Sequence, residues 1–272
     1  MTVYVDKDRA IGGLADVWSR LDELLAGLDD ADWHRPTNLP GWDVQDNVAH
    51  IIGTEGMLLG ESPDVEIDRA EHPHVRNDIG AFNEQWVQSM RSESPAAVLA
   101  RFRDFTSRRM AALTAMDDDA WNAEGFTPAG RDTYGRFMRI RTFDCWLHEQ
   151  DIRDALDRPG GEGGASAALA LEEMTAAMGF VVGKRAGAPT GSGVRFELTG
   201  GSARRIDVEV AERAQVVDDL SGVPTVTLSM PAGVFARLGG GRIEPASVRD
   251  QVSMDGDVEL GERVVANLAY TI

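Results

Sequence analysis

The spacing of the apolar residues changes once along this 272-residue chain, and that change constrains the fold more than any other feature. Through residue 185 the apolar residues recur every three or four positions, which is the period of a helix with one buried face. After a glycine- and proline-rich stretch, residues 183–193, apolar and polar residues alternate, which is the period of half-buried β-strands. The change therefore predicts a helical domain followed by an α+β domain.

Local signals support the predicted helices. Asp43 follows a Pro-Gly turn and has a second aspartate three residues later, which indicates an N-cap. Ser94 before Pro95 predicts another helix start, because proline is favoured in the first turn. Residues 61–79 show no period and predict a surface loop. After a first helix with apolar residues from Ile11 to Leu28, the predicted helices span residues 43–59, 82–90, 95–113, 133–156 and 165–182.

These patterns predict a fold that combines an all-α domain with an α+β domain. The first domain, residues 1–185, is expected to be an up-down helical bundle with a four-helix core. The second, residues 186–272, contains the alternating segments VRFELTG, RRIDVEVA and TVTLSM, with short helices at GVFARLGG and LGERVVANLAY. Both lengths lie within the usual range for a single domain.

Composition excludes several classes of partner. With 45 acidic and 27 basic residues the net charge is −18, which repels nucleic-acid phosphates and anionic lipid surfaces. The single cysteine, Cys145, allows no internal disulfide and fits a reducing compartment. The sequence shows neither a signal-peptide pattern nor a run of apolar residues long enough to span a membrane. We therefore expect a cytoplasmic protein that binds a small molecule, with no prediction of its oligomeric state.

The segment DCWLHEQD, residues 144–151, is the strongest candidate for chemistry. In a helix, Asp144, His148 and Asp151 lie on one side, at positions i, i+4 and i+7. An aspartate and a histidine one turn apart are spaced as two metal ligands on a helix, and Asp151 is placed to orient the imidazole. A structural ion pair has the same spacing, so these residues alone leave both interpretations open.

His50 is the candidate for a third ligand, because it points away from the apolar stripe of its own helix. The alternative is a solvent-exposed histidine. For His34, His72 and His74, which lie in a turn and in the acidic loop, solvent exposure is the prediction. Packing roles are predicted for Cys145, Trp42 and Trp146.

Two segments of the sequence resemble a known family. LPGWDVQDNVAHI and, later in the chain, RTFDCWLHEQDIRDAL are similar to the DinB-like metal-binding bundle, in the branch that contains mycothiol-dependent maleylpyruvate isomerase. There, a histidine of the second helix and an acidic-x3-His pair of the last bundle helix bind a divalent metal, usually zinc. The resemblance implies His50, Asp144 and His148 as ligands. The family usually has glutamate where this chain has Asp144, and aspartate also binds zinc.

The resemblance extends into the second domain. VTLSMPAGVFARLGGGRIEPASV and VSMDGDVELGERVVANLAY are similar to the sterol-carrier-like C-terminal domain of such proteins. In the isomerase an arginine of this domain helps to bind substrate or thiol. The matching position implies Arg242, with Arg237 as a second candidate for binding the thiol. The alternative for Arg242 is a surface arginine after a glycine turn.

The resemblance also implies a function. It is that of a metal-dependent enzyme in which mycothiol, or a similar small thiol, attacks a small electrophile, giving either sulfur transfer or cis–trans isomerisation. Three protein ligands leave one position open on a tetrahedral metal. Water at that position would give a hydrolase instead. A protein that only binds a metal or an apolar ligand is the non-catalytic alternative.

Overall fold

The computed structural model describes residues 2–63 and 65–271. The chain divides by its contacts into two compact units, Met1–Gly160 and Gly161–Ile272. The first is mainly helical and the second combines a sheet with helices, as the change in apolar period predicts.

The first unit contains the predicted helices except the last, residues 165–182, which lies in the second unit. In chain order its elements are α1 (Lys7–Ala26), α2 (Asp30–Trp33), α3 (Val44–Leu58), α4 (Asp78–Met90), α5 (Pro95–Ala115), α6 (Asp118–Asn122), β1 (Glu124–Thr127), β2 (Gly130–Thr133) and α7 (Tyr134–Ala155). The sequence did not predict α2, α6 or the antiparallel pair β1–β2. Each of these has five residues or fewer, too few to show a period.

The four long helices α1, α3, α5 and α7 form the core of the first unit. Helix α1 packs against α5 and α7, and α3 packs against the same two helices. Helices α1 and α3 therefore lie at opposite corners of a four-helix arrangement. The facing side chains are large and apolar, which supplies the main stabilising term for the bundle.

Helix α3 is buried on every side. Residues 44–56 are all buried, because α5 and α7 cover two sides and α4 packs against a third. Gly53 lets α4 approach closely, since a Cβ atom at this position would lie only 2.4 Å from Cγ of Trp86 on α4. This contact fixes the position of α4 on α3.

Caps fix the first residues of the helices that carry the candidate ligands. The Asp43 carboxylate accepts a hydrogen bond from the backbone N–H of Asp46 at 2.9 Å, and the Asp46 carboxylate accepts one from the N–H of Asp43 at 3.1 Å. This reciprocal pair is a capping box at the start of α3. The hydroxyl of Thr133 caps α7 by accepting from the N–H of Arg136 at 3.0 Å. The predicted starts of both helices are confirmed.

Over its described residues the second unit has one α-helix before its sheet and two α-helices, with a 3-10 helix at Pro245–Gln251 between them, in the later part of its chain. Its elements are α8 (Gly164–Phe180), β3 (Gly193–Thr199), β4 (Arg204–Val210), β5 (Ala214–Val217), β6 (Val226–Pro231), α9 (Ala232–Gly239), β7 (Ser253–Gly256) and α10 (Val258–Ala266). The strand order is β5-β4-β3-β6-β7. Strands β3 and β6 are parallel, and the other neighbours are antiparallel.

The unit boundary lies between Gly160 and Gly161, whereas the sequence predicted it between residues 185 and 186. Helix α8 accounts for the difference, because it packs against β4, β5 and α9 of the second unit. It continues into a π-helical turn at Val181–Arg185, so the predicted linker begins inside a helix. A helix with apolar residues around most of its circumference carries no stripe that would show which neighbour it packs against.

One helical segment, Gly164–Arg185, has the length and apolar composition of a membrane span. Over its most apolar window 56% of the segment is buried within the protein, as in a core helix of a globular fold. Among the residues that the structure describes, this is the one segment that meets both criteria.

Candidate metal centre

Helices α3 and α7 bring the three predicted ligands together. Nε2 of His50 on α3 is 3.1 Å from Oδ2 of Asp144 on α7, and Nε2 of His148 is 3.6 Å from Oδ1 of the same carboxylate. One donor atom from each residue lies within 4.8 Å of the other two. Donors around a single zinc ion, at about 2.0–2.2 Å from it, lie roughly 3.5 Å apart. We call these three residues the α3–α7 centre.

The α3–α7 centre is buried except at its carboxylate. Both histidines are buried, whereas the side chain of Asp144 is 32% exposed. The Trp42 ring lies against both imidazoles, with centroid distances of 5.4 Å to His50 and 6.1 Å to His148. The packing role predicted for Trp42 is therefore incomplete, because this ring forms a wall of the centre. Trp146 is buried in the core, as predicted.

Two side chains orient the imidazole of His148. Its Nδ1 is 2.8 Å from Oδ1 of Asn47 and 3.2 Å from Oδ2 of Asp151. Two acceptors at Nδ1 favour the tautomer that carries its proton there, which leaves the Nε2 lone pair directed toward Asp144. Asp151 thus has the contact predicted for it. Asn47, one turn before His50 on α3, was not identified from the sequence.

His50 lacks such support among the residues that the structure describes. Its Nδ1 is buried without a hydrogen-bond partner there, while its Nε2 faces Asp144. The two imidazoles are close, with ring centroids 4.7 Å apart. The contact of Nε2 with Asp144 and the packing of the Trp42 ring therefore hold this imidazole, without a bond at Nδ1 among the described residues.

Arg141 holds the carboxylate of the centre. Its Nη1 donates to Oδ2 of Asp144, the oxygen that also faces His50, whereas Oδ1 faces His148. The same guanidinium donates to Oε1 of Glu55 from Nε at 3.0 Å and from Nη2 at 2.9 Å. Arg141 is buried, so these bonds fix it between two carboxylates.

A second buried arginine completes this network. Nε of Arg109 on α5 donates to Oε2 of Glu55 at 2.9 Å, and its Nη2 donates to the Tyr134 hydroxyl at 2.9 Å. Glu55, Arg109 and Arg141 are all almost fully buried. Such charges are stable in a protein interior only when they are paired and hydrogen-bonded. The network therefore links the centre to α5 at the opposite side of α3.

The same contacts shift the pKa values of the three side chains of the α3–α7 centre. Burial acts to raise the pKa of Asp144, but the charge of Arg141 and the neighbouring imidazoles hold that pKa well below its ordinary value. Burial lowers the pKa of His50. Burial also acts to lower the pKa of His148, yet hydrogen bonds to Asp144 and Asp151 leave it raised. His148 therefore keeps a proton to higher pH than His50, beside an anionic carboxylate.

Cys145 is a buried core residue, as predicted. Burial raises the pKa of its thiol to about 12, despite the hydrogen bond that Nη2 of Arg141 donates to Sγ at 3.3 Å. A thiol that stays protonated and buried is a poor nucleophile. The described part of the chain therefore offers no thiolate of its own next to the centre.

The predicted solvent exposure holds for one of the other three histidines. The His34 side chain is 54% exposed and pairs with Asp43. The side chains of His72 and His74 are only 15% and 20% exposed, because both rings lie against the carboxylate of Glu84 on α4. Both residues lie in a loop, as predicted, but the sequence did not show that α4 covers them.

Arg237 and Arg242 lie in the second unit. Nη1 of Arg237 donates to Oε1 of Glu162 at 2.8 Å, and Nη1 of Arg242 donates to the carbonyl of Gly240 at 2.6 Å. Both side chains are half-buried. Their role toward a thiol remains a prediction.

Comparison with protein families gives two matches. The mycothiol maleylpyruvate isomerase N-terminal domain matches residues 14–153, and the C-terminal domain of the same family matches residues 168–263. These ranges correspond to the two units and leave the junction near Gly160 between them.

Two curated relatives, both described as uncharacterized, come from Mycobacterium tuberculosis strains H37Rv and CDC 1551 / Oshkosh. Each is 29% identical to this chain over 141 residues, which is 50% of this chain and 52% of the relative. The chain therefore spans about half the length of the curated relatives it matches.

Solved structures extend the similarity over nearly the whole fold. The crystal structure of the mycothiol-dependent maleylpyruvate isomerase aligns with a TM-score of 0.58 at 18% identity, covering 92% of this chain and 93% of that one. A mutant of that isomerase with one histidine changed to alanine gives the same TM-score at 19% identity. At these identities the similarity shows a shared fold, which confirms the predicted fold class.

Proposed function

The chain belongs to the mycothiol maleylpyruvate isomerase family, and from this premise we propose that it is a metal-dependent enzyme that uses a small thiol. The thiol is mycothiol or a similar compound, and the reaction is sulfur transfer to a small electrophile or thiol-dependent cis–trans isomerisation. The observation that carries the proposal is the convergence of His50, Asp144 and His148 on one point with donor atoms within 4.8 Å.

The donor set fits a divalent metal of the zinc class. Two imidazole nitrogens and one carboxylate oxygen are ligands that zinc accepts, and three protein ligands leave a fourth position for a small molecule. The partial exposure of Asp144 supports access from solvent at that position. When bound, the metal supplies the positive charge that deprotonates a thiol near neutral pH.

The surrounding residues hold the ligands in place. Asn47 and Asp151 fix the ring and tautomer of His148, and Arg141 keeps the carboxylate of Asp144 ionised and directed between the two histidines. Trp42 covers both imidazole rings and excludes water from that side. Trp42 also lines a cleft of about 480 Å³, a volume sufficient for a small organic molecule, but His50, Asp144 and His148 do not line it.

Other parts of the proposal follow from the family. Arg242, with Arg237 as the second candidate, is proposed to bind the thiol. The partners are the thiol and the electrophile, and neither nucleic acid nor a membrane is included, in line with the net charge of −18. A cytoplasmic location completes the proposal.

Metal binding and thiol binding are tested together. Purified wild-type protein is resupplied with Co²⁺, desalted and titrated with mycothiol, while its visible absorption is recorded. We expect the thiol to change the cobalt spectrum of the wild type and of the control His34→Ala, which alters an exposed histidine. In His50→Ala and His148→Ala we expect no such thiol-dependent change. Unchanged spectra in both ligand variants would exclude this centre.

The reaction is tested with maleylpyruvate, the substrate in the name of the related isomerase, and with model electrophiles. Turnover that depends on both metal and thiol supports the proposal. Hydrolysis of esters or amides without thiol would identify the chain as a hydrolase. Binding of apolar ligands that persists after chelation, with no turnover, would identify a carrier.

A further inference from the structure

Outside the α3–α7 centre, a second pair of histidines shares a carboxylate. His72 and His74 flank Pro73 in the loop before α4, and Glu84 lies on α4. Nδ1 of His72 is 3.4 Å from Oε1 of Glu84, and Nε2 of His74 is 2.9 Å from Oε2. One donor atom from each residue lies within 4.8 Å of the other two. We call these three residues the loop–α4 group.

Glu84 is held in a fixed position by neutral donors. The indole N–H of Trp42 donates to Oε2 at 2.9 Å, and the amide of Gln88 donates to Oε1 at 2.8 Å. Each carboxylate oxygen therefore accepts one neutral hydrogen bond and faces one imidazole. This is how the carboxylate ligands of metal sites are supported, with one lone pair bonded to the protein and another available.

The electrostatic environment favours an anionic Glu84. Its side chain is fully buried, and burial acts to raise its pKa, but hydrogen bonds from His74, Trp42 and Gln88 outweigh burial and leave the pKa lowered. Arg91 adds a positive charge 3.7 Å from Oε1. That charge is largely engaged by Asp46, which accepts from Arg91 at 3.0 and 3.1 Å.

The backbone on both sides of the group is well supported. Trp86, two residues after Glu84, occupies the space left by Gly53 of α3, and this contact fixes where α4 lies along α3. The ring of His74 packs against Gly41, where a Cβ would lie 2.9 Å from Nδ1 of that ring. The N–H of Val75 donates to the carbonyl of His72 at 2.9 Å, which closes a turn around Pro73. The donors therefore converge in an ordered frame.

We propose that His72, His74 and Glu84 form a second binding site for a divalent cation of the zinc class, separate from the α3–α7 centre. Two imidazole nitrogens and a carboxylate oxygen, all within 4.8 Å, make the same donor set as the first centre. Four of the five histidines of the chain then serve as metal ligands, and His34 is the fifth.

Trp42 connects the two sites. Its indole N–H donates to Glu84, and its ring lies 5.4 Å from that of His50. A cation at the loop–α4 group withdraws electron density from Glu84 and so changes the hydrogen bond that positions Trp42 over the first centre. We expect occupancy of the second site to alter the cobalt spectrum of the first.

Zinc stoichiometry tests the proposal. Each protein is equilibrated with excess zinc and desalted, and zinc per chain is measured. We expect two ions in wild type and His34→Ala, one in His50→Ala, one in the double variant His72→Ala with His74→Ala, and none in the triple variant. Circular dichroism checks the fold, and Glu84→Gln, which keeps the size of the side chain, provides a second route to losing the same ion.

Each result decides between the two sites. One ion in wild type that persists in the loop variants but is lost in His50→Ala overturns the second site and leaves the first. One ion that persists in His50→Ala but is lost in the loop variants supports the second site and removes the proposed function. Equal zinc in wild type and in both loop variants also overturns the second site.

Discussion

The α3–α7 centre and the loop–α4 group place the same donor types on different supports. In the α3–α7 centre all three side chains lie on long bundle helices. In the loop–α4 group the two histidines lie in a turn and the carboxylate lies on α4. In both, the carboxylate lies near an arginine: Asp144 accepts from Arg141, and Glu84 lies 3.7 Å from Arg91.

In the α3–α7 centre the supporting contacts reach the carboxylate, from Arg141, and also one imidazole, whereas in the loop–α4 group they reach the carboxylate. In the first, Asn47 and Asp151 support an imidazole, that of His148. In the second, Trp42 and Gln88 support the carboxylate of Glu84. Fixing an imidazole also fixes its tautomer, so the first arrangement holds a free lone pair ready for a cation. We therefore expect the α3–α7 centre to bind zinc more tightly than the loop–α4 group.

The largest expected effect concerns the buried network of Glu55, Arg109 and Arg141 beside the α3–α7 centre. Glu55→Gln removes the negative charge between Arg109 and Arg141, and we expect the free energy of unfolding to fall by about 3–5 kcal/mol, because buried Arg109 loses its carboxylate partner and buried Arg141 keeps only Asp144. Urea unfolding of the metal-free protein measures the loss. Glu61→Gln is the matched control: it removes a partner of Arg108 in an exposed pair, with an expected cost under about 1 kcal/mol. Equal costs would show that burial of this network contributes nothing.

The next effect separates the hydrogen-bond partners of the two groups. We expect Asp151→Asn to lower zinc affinity at the α3–α7 centre by roughly 10–100-fold, because His148 loses a charged partner at Nδ1. Gln88→Ala should weaken zinc at the loop–α4 group and leave the first centre unchanged. Competition with a chelating dye measures both affinities. A loss at the wrong site in either variant would contradict the assignment of these partners.

Lowering the pH should release zinc from the α3–α7 centre, and the pKa of His148 sets the pH at which the release begins. Since the pKa of His148 is raised above the ordinary histidine value, zinc competes with a proton there, and its affinity should fall about tenfold per pH unit below that pKa. In protein from which a chelator has removed the metal, the protonated His148 stabilises the fold. That contribution is complete below the ordinary pKa and is lost as pH rises through the raised one. Zinc affinity measured against pH, with Asp151→Asn moving the onset to lower pH, checks both signs.

The smallest expected effect is that of Trp42→Phe. The substitution keeps an aromatic ring near His50 but removes the hydrogen bond to Glu84, and we expect a loss of about 1 kcal/mol in the free energy of unfolding. Zinc at the first centre should remain, because Trp42 is not one of its donors. Loss of zinc from the first centre would mean that this ring does more than cover the imidazoles.

The sequence predicts what depends on local chemistry and repeated spacing. The N-cap at Asp43 and the start of α7 after Thr133 follow from backbone hydrogen-bonding needs near those residues. The Asp144–His148 pair and the candidate His50 follow from helical geometry, and the family resemblance joins the three as one ligand set. The caps and the helical spacing each depend on residues close together in the sequence. The way in which the helices pack against one another therefore does not change them.

The missed features depend on which elements become neighbours. Glu55 and Asn47 lie on a helix that is buried all round, so a search for one apolar stripe assigns them to a polar face. His72 and His74 have no period, and their burial depends on α4 lying over the loop. Helix α8 was assigned to the first unit because its contacts with the sheet are not visible in its own residues.

The burial of residues 44–56 of α3 also has a kinetic consequence. A helix with no exposed side loses its hydrogen bonds only when its neighbours separate, so the amide protons around His50 should exchange with solvent only through unfolding of the whole unit. The backbone that carries this histidine thus has no local opening of its own. If the proposed metal binds there, we expect it to exchange through rotation of side chains at the exposed edge of Asp144, on a timescale far shorter than that of unfolding.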